Sequence, residues 1–143
     1  MDVEQREQLE AATQALLAAF DIYAPPVPVE TMLQNPPPGM WNNVDINQLS
    51  GTFLVLKDQY SPRMSLARLL GRHVASSEWG AARGLYEIII GNEDNLRIFA
   101  RMLVMPRDMI QSLTPATRNA IAISDEFEVP EEDAQTRLDE LLG

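Results

Sequence analysis

WNNVDINQLSGTFLVLK, residues 41–57, is the stretch on which the fold class turns. It joins β-branched, aromatic and aliphatic residues in partial alternation, with Asn, Ser and Gly as turn formers around them. That composition suits a pleated, half-buried surface, and it predicts two or three short strands. The segments on both sides carry helical signals, so the expected class is α+β: a small mixed or antiparallel sheet packed with helices.

Upstream, Leu9, Thr13, Leu16, Leu17 and Phe20 recur at helical spacing across residues 3 to 20, and Asp2 stands where an N-cap is needed. YAPPVPVETMLQNPPPG, residues 23–39, holds six of the ten prolines, so it is extended or turning except for one short helix that Pro28 can open and PPPG stops. Downstream, Ser61 and Pro62 mark the start of a helix containing ARLLGR. It places Ala67, Leu70 and Val74 on one face, and Gly71 lets a neighbour approach closely. SSEWGAARGLYEIIIG reads either as a helix from about Glu78, which is preferred, or as a loop and a strand at Tyr86 to Ile90. Asn92 can cap a helix carrying Leu96, Phe99 and Leu103 and ended by Pro106. Thr114 and Pro115 open another that reaches about Phe127, and Pro130 opens the last, with Ala134, Leu138 and Leu141 on its apolar face. The chain is thus expected to end in a helical pair.

The 143 residues, 45% hydrophobic and 22% charged, suit one globule of ordinary size. With no cysteine there is no disulfide framework, thiolate nucleophile or Cys-based metal site, and the expected compartment is the cytoplasm. No run approaches the roughly 18 apolar residues of a membrane span, and MDVEQREQLEAA lacks the basic start of a secretory signal. A net charge of −10 opposes attraction to nucleic acid or anionic lipid. The last helical pair has the outline of a helix-turn-helix, but residues 113–143 hold eight acids against Arg118 and Arg137, so direct nucleic-acid contact is not expected. Solubility is the plain reading of that charge, and a binding surface for a basic protein partner is the sharper alternative.

SLARLLGRH, residues 65–73, sits where a peptidase helix of pattern H-E-x-x-H would set two imidazoles one turn apart with a carboxylate between them. Four segments in order carry a wider likeness: PVPVETML at 26–33, RMSLARLLGRH at 63–73, EDNLRIFARMLVMP at 93–106 and FEVPEEDAQTRL at 127–138. Together they resemble the ImmA/IrrE-like zinc metallopeptidases. The resemblance implies a minimal zincin-like core over residues 1–112 and a helix-turn-helix-like appendage of the same globule over 113–143. It puts the two zinc-binding histidines at Arg68 and Arg72, the catalytic glutamate at Leu69 and the third metal ligand at Glu93. The family's A-N pair after that glutamate is replaced by Leu96 and Arg97.

Guanidinium groups cannot shed a proton to become ligands, so a hydrolytic zinc site is not expected, nor any other cofactor. His73, the one histidine, falls one residue past the second ligand position and is turned about 100° away on the helix. Arg68 and Arg72 share a helix face, and an ion pair from either to Glu93 is expected to stand in for the metal. The reading is a catalytically inactive, ImmA/IrrE-like regulatory interaction module. Active relatives cleave helix-turn-helix repressors, so the resemblance implies such a repressor, or another basic chain, as partner. The alternatives are a peptidase using Glu87, Glu93 and His73, and a purely structural domain.

Overall fold

The computed structural model describes residues 1–48 and 59–142. Among them there is no strand, and the fold is helical throughout, which corrects the expected α+β class and its sheet-containing zincin-like core. Residues 41–48, read as strand, run as coil into a 3-10 turn at Ile46–Gln48. The expected strand TFLVLK, residues 52–57, lies outside the described residues.

The reason for the misreading at 41–48 lies in how the apolar side chains there are used. Trp41 is buried and stacks on Phe20, with centroids 5.9 Å apart, and the Val44 amide donates to the Leu33 carbonyl at 2.9 Å. Apolar anchors satisfied by a helix and a coil need no ladder partner, and strand propensity reports only a fit to a half-buried surface.

Nine α-helices make up the rest of the described chain. Helix α1 spans Val3–Ala19, where the Asp2 carboxylate accepts from the Gln5 amide and the Gln5 side chain returns a bond to the Asp2 amide, a full capping box. Its Leu9, Ala12, Thr13, Leu16 and Leu17 are buried. Helix α2 is Val29–Gln34, and α3 is Ser61–Ser76 with Pro62 in its first turn. Two short helices follow, α4 at Glu78–Ala81 and α5 at Leu85–Ile89, separated where Gly84 adopts φ +75°. A continuous helix from Glu78 is broken at that point. Helix α6, Glu93–Val104, begins where the Asn92 side chain accepts from the Asn95 amide at 3.0 Å and ends before Pro106.

Beyond Pro106 a five-residue helix, α7 at Arg107–Gln111, has no counterpart in the sequence reading. The helix expected from Thr114 to Phe127 is divided into a 3-10 turn, Pro115–Thr117, and α8, Ala120–Phe127, because Asn119 turns the chain and caps α8 by accepting from the Ala122 amide. Helix α9 is Glu131–Leu142. Ile123, Phe127, Val129 and Ala134 of this terminal pair belong to the same buried cluster as Leu9, Leu70 and Phe99.

Helices α3 and α6 are the centre of the molecule. A Cβ added to Gly71 would stand 3.0 Å from Leu96 Cδ1 and 3.4 Å from Phe99 Cδ2, so the bare glycine lets the two helices close. Arg63, at the start of α3, ties three segments together. Its Nε donates to the Glu128 carbonyl at 3.0 Å, Nη2 to the Val27 carbonyl at 2.9 Å, and Nη1 to Glu30 Oε2 at 3.4 Å.

Candidate functional site

Arg68, Leu69 and Arg72 lie on α3, and Glu93 occupies the first turn of α6, where a carboxylate suits the helix N-terminus. Helix packing brings Arg72 and Glu93 together: Nη2 lies 3.4 Å from Oε2, 21 positions away in sequence. Both are open to solvent, 44% and 64% exposed, so the pair is a surface contact and Glu93 does not sit in a closed cleft. Arg68 does not reach Glu93. Its Nη2 donates to Ser65 Oγ at 3.1 Å, one turn back on the same helix. Burial pulls the Arg68 guanidinium below its ordinary value, Arg97 and Arg72 add to that effect, and Asp133 and Glu93 oppose it.

Leu69 is half-buried and packs on the core, so the position aligned with a catalytic base carries only apolar contact. His73 is half-buried, and burial lowers its pKa. Glu87 is exposed on α5. Among the described residues no three of the His, Asp and Glu side chains converge as a metal ion would require, so Glu87, Glu93 and His73 are not brought into one site. The zinc that the resemblance implies does not fit these residues, because two guanidinium groups and a leucine stand where two imidazoles and a carboxylate would be needed.

The sequence reading missed a second constellation. Arg137 of α9 is buried, its Nη2 2.7 Å from Glu10 Oε1 of α1 and its Nε donating to the Met105 carbonyl at 2.9 Å. Burial lowers the Arg137 pKa, and Glu10 counters that pull. Arg107 extends the network, with Nε 3.5 Å from Glu10 Oε2 and Nη1 2.7 Å from Glu7 Oε1. Beside it Arg101 holds Glu140 in a two-pronged contact at 2.9 and 3.0 Å. The network knits α1, α6, α7 and α9 together, and a cavity of about 190 Å³ opens beside it between Thr13, Leu17, Ile22, Pro106 and Met109. Acids and arginines at such sequence distances give no local signal, and only the fold pairs them.

The two arginines counted against the acids of the terminal pair are thus both engaged. Arg137 is consumed inside the core, and Arg118 donates to the Gln111 and Leu113 carbonyls at 3.0 and 2.7 Å. Asp125, Glu126, Glu131, Glu132 and Asp139 remain exposed on α8 and α9, and Ile121, which is 69% exposed, lines a shallow pocket with Asp125 and Glu131. No helix among the described residues is long and apolar enough to cross a membrane.

Comparison with protein-family models, curated proteins and solved structures finds no match to this chain.

Proposed function

We propose that the chain is a catalytically inactive, ImmA/IrrE-like domain that acts as a regulatory interaction module for a basic protein partner. The supporting observation is the contact of Arg72 with Glu93. Two positions to which the resemblance assigns metal ligands meet in space, yet one of them carries a side chain that repels a cation. A site with that geometry and that chemistry has no route to a metal-activated water.

The basic partner follows from the surface of α8 and α9. Five exposed carboxylates there have no arginine of their own segment left to neutralise them, and exposed Ile121 supplies an apolar contact beside two of them, Asp125 and Glu131. An acidic face of this kind steers a positively charged chain and repels phosphate backbones. A helix-turn-helix repressor is the partner that the resemblance suggests.

The experiment is capture on the immobilised chain with a matched variant carrying Asp125→Asn, Glu126→Gln, Glu131→Gln and Glu132→Gln. A basic protein retained by the natural chain, released by salt and lost with the variant supports the reading. Retention that is indifferent to these substitutions removes α8 and α9 as the docking face, and no retained partner favours a purely structural domain.

A further inference from the structure

The cavity of about 190 Å³ between α1 and α7 runs on into a second hollow of about 310 Å³, which passes Pro25 and reaches Leu113 and Phe127 on the α8 side. Tyr23, Asp108 and Met109 bound both, so the two are lobes of one groove. A local device sets its wall. Asp21, just past α1, takes φ +61°, and the Asp21 and Ile22 amides donate to the Ala18 and Leu17 carbonyls at 3.0 and 2.9 Å. That turn ends the helix and lays Ile22 and Tyr23 along the groove, Tyr23 72% exposed.

We propose, on the basis of the basic-partner reading above, that this groove seats a segment of that partner which puts an apolar side chain into the lobe between α1 and α7 and a lysine or arginine beside Asp108. The first lobe has the size and lining for it. An apolar cavity of roughly 150 Å³ holds benzene, so a leucine or phenylalanine side chain can enter between Leu17, Ile22, Pro106 and Met109. The Thr13 hydroxyl there is already turned to the Leu9 carbonyl at 2.9 Å and asks nothing of an apolar guest. Charge selects the flanking residues. Arg107 is the one cation lining either lobe among the described residues, and Glu7 and Glu10 hold it at 2.7 and 3.5 Å. Arg118, which bonds the Leu113 carbonyl, lines a separate pocket with Leu138 and Leu141. Asp108, exposed where the lobes join, accepts from a neutral amide, Gln14 Nε2, at 2.6 Å, and Glu126 is exposed in the second lobe. Among the described residues no ion pair reaches either acid, so a basic segment gains attraction there and an acidic one is repelled. Tyr23, exposed at the join, is of a type enriched where proteins meet.

The test selects binders to the whole chain from a displayed library of random short peptides and measures the affinity of the enriched sequences. Peptides that set leucine, phenylalanine or methionine next to lysine or arginine are the expected class. Ala18 is exposed on the wall of the first lobe, so Ala18→Trp can fill the lobe from outside the core, and it is expected to weaken those peptides about tenfold or more. Asp108→Asn keeps an acceptor for Gln14 and is expected to weaken them roughly two- to fivefold, with the difference fading in high salt. No enriched peptide, or binding indifferent to both substitutions, overturns the groove. Binding lost only with the four substitutions on α8 and α9 also overturns it, while leaving the basic-partner reading in place. Enriched peptides that are apolar without a basic residue overturn the basic partner itself.

Discussion

Arg137 of α9 and Glu10 of α1 meet at 2.7 Å inside the core, 127 positions apart in sequence, with side chains only 2% and 4% exposed. The pair fastens the last helix to the first. Removing Arg137 as Arg137→Met leaves a buried carboxylate whose other cation, Arg107, stands 3.5 Å away, and the expected loss is about 3–5 kcal/mol in urea unfolding. Glu10→Leu combined with Arg137→Met is expected to recover most of that loss, because two apolar groups remove the desolvation penalty along with the attraction.

Gly80 gives a backbone test. A Cβ at this position would fall on the Val74 carbonyl oxygen, and a backbone atom cannot swing aside as a side-chain tip does. Gly80→Ala is expected to destabilise by roughly 1–3 kcal/mol or more, read as a lower thermal midpoint. An unchanged midpoint would mean that the α3–α4 corner is not as tight as described.

His73 predicts a pH dependence. Its folded pKa is lowered by burial, so the unfolded chain binds its proton first as pH falls below about 6.5. Its contribution is present above the unfolded value and is lost as pH falls toward the folded value. The difference in stability between the natural chain and His73→Gln is therefore expected to shift against the natural chain on acidification through that window. A difference constant from pH 7.5 to pH 5, reading those limits as about one unit on either side of the ordinary pKa, would contradict it.

The helices were legible where a local device set them. Asp2 and Asn92 cap as their residue types suggest, Pro62 and Pro106 bound α3 and α6, and the stripe of Leu96, Phe99 and Leu103 is buried. Trp41, Val44 and Ile46 misled, because apolar alternation marks burial and does not name the partner that supplies it. Asn119 was read through as helix interior, yet it caps α8. Of the candidate site, the meeting of Arg72 with Glu93 was within reach of helical spacing and the resemblance. The failure of Arg68 to join them, and the exposure of Glu93, depend on how α3 and α6 are rotated, which periodicity leaves open.

That exposure sets the scale of the Arg72 contact. Arg72→Ala is expected to change stability by less than about 1 kcal/mol, several-fold below the effect at Arg137, in the same urea measurement. A loss of several kcal/mol would place the pair in a closed site.

Zinc content measured by elemental analysis, on the natural chain and on the variant Arg68→His, Leu69→Glu, Arg72→His, tests the reading of the α3–α6 seam most directly. The natural chain is expected to carry no stoichiometric zinc, and the folded triple variant to take up about one ion per chain with Glu93 as third protein ligand. One zinc per natural chain, or a folded triple variant that binds none, would contradict the account.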